Sequence, residues 1–275
     1  MQQEYAINDG DFRKIVQLVM NTAGIVLSDR KRPFVQSRLG RRLRALGMTD
    51  FRQYCRLLEA PDGEEERSNL INAITTNHTA FFREPHHFTY LANTVLPKLA
   101  DGPAGQSRRL RIWSAGCSTG EEPYTIAMTL REHQSALKDW DVKILATDLD
   151  TNVVTHAAAG IYDSDRLESV PPSYRKRFVT ELDADRSRVN DEVRSLISFA
   201  PLNLLQKWPM QGPFDVIFCR NVVIYFDKPT QRKLFDRYAE ILRPDGSLFI
   251  GHSESLLNVT DRFDLVGRTI YRRVK

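Results

Sequence analysis

The spacing of hydrophobic positions changes near residue 100. Before that point, apolar residues recur every three or four positions, which is typical of amphipathic helices. Two such stripes are formed by Phe12, Ile15, Val16 and Val19, and by Val35, Leu39, Leu43 and Leu46. Two further helices are predicted over about 51–58 and 64–74. Residues 1 to about 90 are therefore predicted to form a small all-α domain.

After a Gly- and Pro-containing stretch at 101–109, predicted to be a solvated loop, short apolar strands alternate with helices. Strands are predicted at 110–114, 142–147, 196–201, 215–219, 247–251 and 269–273, and helices at 123–133, 152–159 and 229–242. This alternation predicts parallel βαβ units and an open, doubly wound α/β sheet over residues 91–275. Residues about 161–195 are charged and weakly periodic, so we expect them to form an insertion.

Composition narrows the class of protein. The chain has 275 residues, of which 41% are hydrophobic, enough for a sizeable core. It has no apolar run of membrane-spanning length, and its start resembles no signal peptide, so we expect a cytoplasmic protein. Three widely spaced cysteines encode neither a disulfide framework nor a cysteine zinc site.

Charge is uneven along the chain. Residues 28–56 hold nine basic and two acidic residues, a net charge of +7, whereas the whole chain carries +4. The predicted second helix places Arg38, Arg41 and Arg44 on one side. This asymmetry favours an acidic partner for the region, although a solvated helix face would also explain it.

The first strand of the sheet runs into a loop, Ala115-Gly116-Cys117-Ser118-Thr119-Gly120, followed by Glu121 and Glu122. Such a crevice at the carboxyl ends of strands binds ligands in open α/β sheets. The loop lacks the lysine of a P-loop and the spacing of a dinucleotide fingerprint. Its two carboxylates disfavour a pyrophosphate and suit a cationic amino acid or sulfonium.

Asp148, at the end of the second strand, is placed to accept hydrogen bonds from ribose hydroxyls. With the acidic loop it suggests S-adenosylmethionine. The alternative for Asp148 is a helix N-cap, since the next helix begins beside it. His86 and His87 have no companion at ligand spacing, so we predict no metal site.

Five ordered strings carry a resemblance to a known family. They are TTNHTAFFRE at 75–84, WSAGCSTGEEPY at 113–124, ATDLD at 146–150, FDVIFCRNVVIYFD at 214–227 and GHSE at 251–254. Together they resemble the chemotaxis receptor methyltransferase family (CheR), over essentially the whole chain.

The resemblance implies a Rossmann-like class I methyltransferase sheet with a small β-subdomain insertion, which tethers a receptor tail peptide in some members. It implies transfer of the methyl group of S-adenosylmethionine to glutamate carboxylates of chemoreceptor cytoplasmic helices, leaving S-adenosylhomocysteine. The protein would not be inserted in the membrane but recruited to membrane-bound receptor arrays, with the helical domain helping to dock the receptor. For the oligomeric state, which the resemblance does not fix, a monomer is the default expectation.

The resemblance also implies site residues. Cofactor contacts fall on Asn77, Thr79, Arg83, Glu121, Asp148, Asn203, Leu204, Arg220 and Asn221. Arg83 and Tyr225 would lie nearest the transferred methyl and are the predicted catalytic residues. Arg38, Arg41 and Arg44 would dock the glutamate-rich substrate helices.

Two other functions stay open at this point. A nucleic-acid methyltransferase would use the same sheet and a basic appendage, but the basic window has few interleaved aromatic residues, so we expect no nucleic-acid partner. A non-catalytic signalling module that binds the cofactor or a receptor is the second alternative.

Overall fold

The computed structural model describes residues 5–275. For residues 103, 104, 134 and 136 it describes the backbone only, and the first four residues of the predicted helical domain lie outside the described range. The chain divides into two compact units, one of residues up to Thr76 with Tyr225–Asp227, the other of Asn77–Ile224 with Lys228–Lys275. The division falls before the boundary near residue 90 predicted from the sequence. The reason is that Phe88, Leu91 and Val95 belong to the hydrophobic core of the second unit.

Within its described residues, the first unit contains four α-helices. They are α1 (Asp9–Ala23), α2 (Arg32–Ala45), α3 (Phe51–Glu59) and α4 (Glu64–Ile74). The two predicted apolar stripes are largely buried, but Leu46 is 39% exposed because α2 ends at Ala45. Asn8 and Asp50 cap α1 and α3 by accepting hydrogen bonds from backbone N–H groups in the first turn.

A buried carboxylate ties three of these helices together. Glu66 on α4 accepts hydrogen bonds from Arg42 Nη2 on α2 at 2.5 Å and from the Tyr54 hydroxyl on α3 at 2.8 Å. The hydrogen bond to Glu66 raises the pKa of Arg42. A charge this deeply placed is stable only when paired, so the network fixes the packing of α2, α3 and α4.

Glu66→Gln should destabilise the protein by about 1–2 kcal/mol, because the amide carries no charge and its NH₂ group would face the donors of Arg42 and Tyr54. The loss stays moderate because Arg42 keeps partial contact with water. Urea denaturation followed by circular dichroism would measure the loss. Glu65→Gln, an exposed neighbour on the same helix, is the control. Equal stability of the Glu66 variant and the wild-type protein would contradict a structural role for this network.

The first helical stretch of the second unit is nearly continuous, and the sequence pattern missed it. It comprises α5 (His86–Tyr90), a π-helical turn at Leu91–Val95 and α6 (Leu96–Asp101), followed by a short α7 (Pro103–Ser107). The predicted loop at 101–109 is therefore wrong: most of this stretch is helical, and the first strand already begins at Arg109.

The remaining elements alternate largely as predicted. The strands are β1 (Arg109–Ala115), β2 (Asp141–Asp148), β3 (Ile161–Asp163), β4 (Val179–Glu181), β5 (Arg186–Val189), β6 (Ile197–Pro201), β7 (Phe214–Cys219), β8 (Leu242–Ile250), β9 (Phe263–Gly267) and β10 (Ile270–Arg273). The helices are α8 (Glu121–Glu132), α9 (Thr151–Ala159), α10 (Pro172–Phe178), α11 (Asp191–Arg194) and α12 (Lys228–Ile241).

Seven strands form the main sheet, in the order β6-β2-β1-β7-β8-β10-β9. The first five run parallel, whereas β10 pairs antiparallel with both β8 and β9. β9 was not predicted, and β8 begins at Leu242 rather than at the predicted position 247. The mostly parallel, doubly wound α/β architecture is confirmed.

The insertion forms its own small sheet, with the strand order β3-β5-β4 and antiparallel pairing throughout. Tyr162, Leu167, Phe178, Val189 and Val193 join its elements to the core of the second unit. In the described part of the chain, no helix is both long and apolar enough to cross a membrane.

Candidate active site

The polar residues predicted to act together collect at the carboxyl ends of the central strands. The chain passes from β1 to β2 and β6 on one side of the sheet and then crosses to β7 and β8 on the other. The switch in direction lies between β1 and β7, where open α/β sheets bind their ligands. The segments around this point are the loops after β1, β2, β6 and β7 and the segment from Asn77 to Glu84.

The loop after β1 requires its two glycines. Gly116 and Gly120 have φ values of +96° and +100°, a region that L side chains rarely adopt. A Cβ on Gly116 would lie 2.3 Å from Val222 Cγ2, and one on Gly120 would lie 2.7 Å from the Tyr162 hydroxyl. These glycines therefore let the loop pack closely against the segment after β7 and against the insertion.

Asp148 faces this loop and is not the helix cap that was its alternative. Its Oδ2 accepts a hydrogen bond from Ser118 N at 2.8 Å. The cap of α9 is Asp150, whose side chain accepts from Asn152 N. Burial raises the pKa of Asp148, partly offset by backbone N–H donors from Asp150 and Ser118. The carboxylate is thus held at the crevice by the chain around it.

Asn77 joins the crevice from the preceding segment. Its side-chain amide donates to Asp150 Oδ2 at 2.7 Å, and its carbonyl accepts from Ser118 Oγ at 3.0 Å. Thr79 follows two residues later, and Arg83 Nη1 donates to the His78 carbonyl at 3.0 Å. The structure therefore links the 77–83 string with the loops after β1 and β2.

The loop after β6 lies beside Asp148. Leu202 N donates to the Asp148 carbonyl at 2.8 Å, and Asn203 Oδ1 accepts from Leu205 N at 2.9 Å. Leu204 is buried and its carbonyl accepts from Trp208 and Arg237. A backbone hydrogen bond therefore joins the loop after β6 to the end of β2 at Asp148.

Glu121 begins α8 and is fully buried, with its charge already compensated. It accepts a hydrogen bond from Thr119 Oγ1 at 2.6 Å and pairs with Arg166 of the insertion. Sequence reasoning placed Glu121 at the cofactor but could not foresee Arg166, which lies in a segment with no recognisable periodicity.

The neighbouring Glu122 has a structural partner that the sequence did not indicate. Its carboxylate accepts from Ser114 Oγ at 2.7 Å and from Arg220 Nη1 at 3.0 Å. Burial raises the pKa of Glu122, while Arg220 opposes that shift. The other side of Arg220 donates to the Arg83 carbonyl at 2.5 Å, so one guanidinium joins the end of β7, the start of α8 and the Arg83 segment.

Asn221 has a left-handed backbone, with φ of +59°, and a buried glutamate holds it there. Glu254, from the GHSE string, accepts hydrogen bonds from the backbone N–H groups of Asn221 at 2.9 Å, Val223 at 2.9 Å and Gly251 at 2.6 Å. Burial raises the pKa of Glu254, and these N–H donors act in the opposite direction. Glu254 therefore shapes the turn after β7.

Four of the predicted functional residues belong to the first unit. Tyr225 lies in a 3₁₀ turn at Val223–Tyr225, and its carbonyl accepts from Val26 N at 2.9 Å. On α2, Arg41 and Arg44 are exposed, and Arg38 is half-buried with its guanidinium 5.2 Å from the centre of the Phe34 ring. Within residues 5–275, none of the three arginines forms an ion pair.

His86 and His87 do have a companion donor, contrary to the expectation from spacing. Donor atoms of Glu84, His86 and His87 lie within 4.8 Å of one another. His87 is fully buried, and burial, together with the nearby Arg220 charge, lowers its pKa to about 3. The prediction missed this group because it sought separate ligand motifs and overlooked the carboxylate two residues before His86.

The donor set of the crevice fits S-adenosylmethionine. The Asp148 carboxylate, held by backbone N–H groups of Ser118 and Asp150, suits a ribose diol. The β1 loop also lacks the lysine of a phosphate-binding P-loop. Fold and site together define a class I S-adenosylmethionine-dependent methyltransferase.

Comparison with known proteins places the chain within that class. Residues 77–272 match the family described as CheR methyltransferase, SAM binding domain, and residues 10–75 match CheR methyltransferase, all-alpha domain. The chain therefore belongs to the CheR methyltransferase family, and it is an S-adenosylmethionine-dependent methyltransferase.

Three curated relatives resemble the chain over nearly its full length. It is 46% identical to the probable chemotaxis protein methyltransferase of Rhizobium etli, over 93% of this chain and 96% of that protein. It is 46% identical to the chemotaxis protein methyltransferase of Escherichia coli, over 98% and 93%. It is 45% identical to chemotaxis protein methyltransferase 2 of Pseudomonas aeruginosa, over 98% and 95%.

Glu254→Gln should weaken binding of S-adenosylhomocysteine about tenfold, or ~1.4 kcal/mol, because the amide cannot accept all three backbone hydrogen bonds that shape the Asn221 turn. Isothermal titration calorimetry would measure the change. Glu240→Gln, an exposed glutamate on α12, should bind as the wild type does. An unchanged affinity for S-adenosylhomocysteine in the Glu254 variant would show that these hydrogen bonds do not contribute to cofactor binding.

Proposed function

We propose that the protein transfers the methyl group of S-adenosylmethionine to glutamate side-chain carboxylates on the cytoplasmic helices of chemoreceptors. The observation that carries the proposal is the match to the CheR family along both units, together with an acidic crevice suited to the cofactor. The products would be a glutamate methyl ester and S-adenosylhomocysteine, the reaction that adapts chemoreceptors in chemotaxis.

The proposed methyl transfer needs no general acid or base. S-adenosylmethionine supplies an electrophilic methyl group on a positively charged sulfur. A glutamate carboxylate is already ionised at neutral pH, so its oxygen forms the new bond to carbon without losing a proton. The bond between carbon and sulfur breaks, and its electron pair stays on sulfur. The protein therefore has to align the two groups and exclude water.

Cofactor binding is assigned to Asn77, Thr79, Arg83, Glu121, Asp148, Asn203, Leu204, Arg220 and Asn221. Of these, Asp148 would hold the ribose hydroxyls. Arg220 contributes through Glu122 and the Arg83 carbonyl, which supports a role in holding the Arg83 segment in place. Arg83 would orient the acceptor carboxylate, and Tyr225 would offer its hydroxyl to the carboxylate or the sulfonium.

Transfer of labelled methyl from S-adenosylmethionine to receptor-containing membranes would test the function, with RNA assayed in parallel. We expect label on the receptor that mild alkali releases as methanol, since a carboxyl ester is alkali-labile. Stable label on RNA would move the function to a nucleic-acid methyltransferase. Binding of the cofactor without any transfer would favour a non-catalytic module.

Arg83→Ala should lower kcat for receptor methylation about 100-fold, equivalent to ~2.7 kcal/mol, through loss of a charge-assisted contact. Arg83→Lys should recover part of this, and Tyr225→Phe should cost about tenfold. Steady-state assays with receptor membranes would measure these effects. Tyr90→Phe, a half-buried tyrosine of α5, serves as the control; full activity of either test variant would remove that residue from the mechanism.

The basic helix α2 is proposed to dock the receptor. Receptor methylation regions are glutamate-rich helices, and the exposed charges of Arg41 and Arg44, with the partly exposed Arg38, would attract and register them. Arg42 points instead to Glu66 in the helical unit and is not part of this surface. On this helix, Arg38, Arg41 and Arg44 are therefore proposed to dock the receptor, whereas Arg42 has a structural role.

Charge reversal at all three docking positions, to glutamate, should lower kcat/KM for receptor at least tenfold at low salt, and the loss should shrink as salt screens the charges. Reversal of the exposed Lys98, Lys138 and Lys233 changes the net charge equally and is the control. Equal methylation by both triple variants at every salt concentration would refute docking through α2.

The wider setting is proposed on the same basis. The protein would work in the cytoplasm as a monomer, recruited to membrane-bound receptor arrays without inserting into the membrane. Sedimentation of the purified protein and its distribution between cytosol and receptor-containing membranes would test these points.

A further inference from the structure

We propose that Glu84, His86 and His87 form a binding site for a divalent transition metal of the zinc class. Two imidazoles and a carboxylate are a common set of three protein ligands for such ions, with further positions left for water. Their donor atoms lie within 4.8 Å of one another, a separation that a small shift of side chains would reduce to one coordination sphere.

Two buried atoms of this cluster carry the inference. Among the described residues, His87 Nδ1 and Glu84 Oε2 are buried and have no hydrogen-bond partner, and they lie 3.6 Å apart. His87 is 0% exposed, so water cannot readily satisfy its ring nitrogen. A buried acceptor nitrogen facing a buried carboxylate oxygen is the arrangement that a bound cation would satisfy.

The surroundings orient the three ligands as an outer shell does in metal sites. His86 Nε2 lies 3.2 Å from the Arg268 carbonyl, and His87 Nε2 lies 3.0 Å from Thr269 Oγ1. These contacts leave each Nδ1 for the metal, since a histidine ligand usually donates its other N–H to an oxygen nearby. His252 Nδ1 lies 2.8 Å from Glu84 Oε1, which leaves Oε2 for the ion.

Arg220 sets a limit on affinity. Its Nη2 lies 3.5 Å from Glu84 Oε2, so a metal ion would share this carboxylate with a guanidinium. Repulsion between the two cations should hold the dissociation constant near the micromolar range, weaker than in a structural zinc site. Glu84 and His86 are partly exposed, so the cluster lies near the protein surface on their side.

Zn²⁺ alone, titrated into the untagged 275-residue protein in competition with a chromophoric chelator, would test the site. All three cysteines are buried, so thiols should not compete. We expect one Zn²⁺ per chain, and we expect His86→Asn to weaken binding at least tenfold. His87→Asn should do the same, but His87 is fully buried, so the partly exposed His86 gives the safer variant.

His133→Asn is the matched control, because this half-buried histidine contacts Thr129 at the end of α8, outside the cluster. It should bind Zn²⁺ as the wild type does, and Co²⁺ should give a ligand-field spectrum that the His86 variant lacks. The proposal is overturned by no saturable binding at micromolar Zn²⁺, by unchanged affinity in His86→Asn, or by an equal loss in His133→Asn. Because this experiment does not measure methyl transfer, none of its outcomes depends on the proposed receptor reaction.

Discussion

The second unit depends on the burial of one guanidinium. The Arg220 side chain is 3% exposed, and a charge removed from water to this extent must be paired. It is paired with Glu122 at 3.0 Å and Glu84 at 3.5 Å, and it donates to the Arg83 carbonyl. Removing one partner of such a buried pair typically costs 3–5 kcal/mol, on the order of a third of the stability of a domain.

This constraint explains how separate loops come to share one crevice. Arg220 directly follows β7, Glu122 lies in the first turn of α8, and Arg83 belongs to the segment before the sheet. The same guanidinium therefore fixes three segments that are distant in sequence. Glu254 adds to the arrangement by accepting hydrogen bonds from Asn221 N and Val223 N in the turn that follows Arg220 and from Gly251 N after β8.

The charge balance of the crevice agrees with the proposed ligand. Glu121 and Glu122 each have an arginine partner, whereas Asp148 is held mainly by backbone N–H groups. Neutral donors stabilise a carboxylate without cancelling its charge at longer range. Among the described residues, Asp148 thus has no arginine partner, and the β1 loop has no lysine that would favour phosphate.

The pattern of the sequence predicted most elements of the fold. Helices α1 to α4 and the alternation from β1 to α9 follow from local periodicity. A helix or strand that buries one face has apolar residues at a regular spacing in its sequence. The helix from His86 to Asp101 was missed, since its π-helical turn and short pieces disturb that repeat. Leu46 continued the apolar stripe of α2 but lies beyond the helix end, where burial no longer follows the period.

Parts of the site were also visible in the sequence, and others were not. The β1 loop and the carboxylate after β2 stand where parallel strands end, so topology alone brings them together. Whether Asp148 is a helix N-cap was left open, and the structure assigns the cap of α9 to Asp150 and leaves Asp148 at the crevice. The companion of His86 and His87 was overlooked although Glu84 lies close in sequence, because a ligand group of this kind depends on how a turn folds.

By itself, the sequence determined the class of fold, the cofactor and the family, because these are encoded in local periodicity and in ordered strings of residues. Only the tertiary structure decided which charges are paired. Arg220 and Glu122 are separated by 98 positions, and the chain has 39 lysines and arginines that could in principle have met that glutamate. Buried charged side chains must be paired, and which side chains are buried depends on how the whole chain packs rather than on any one segment.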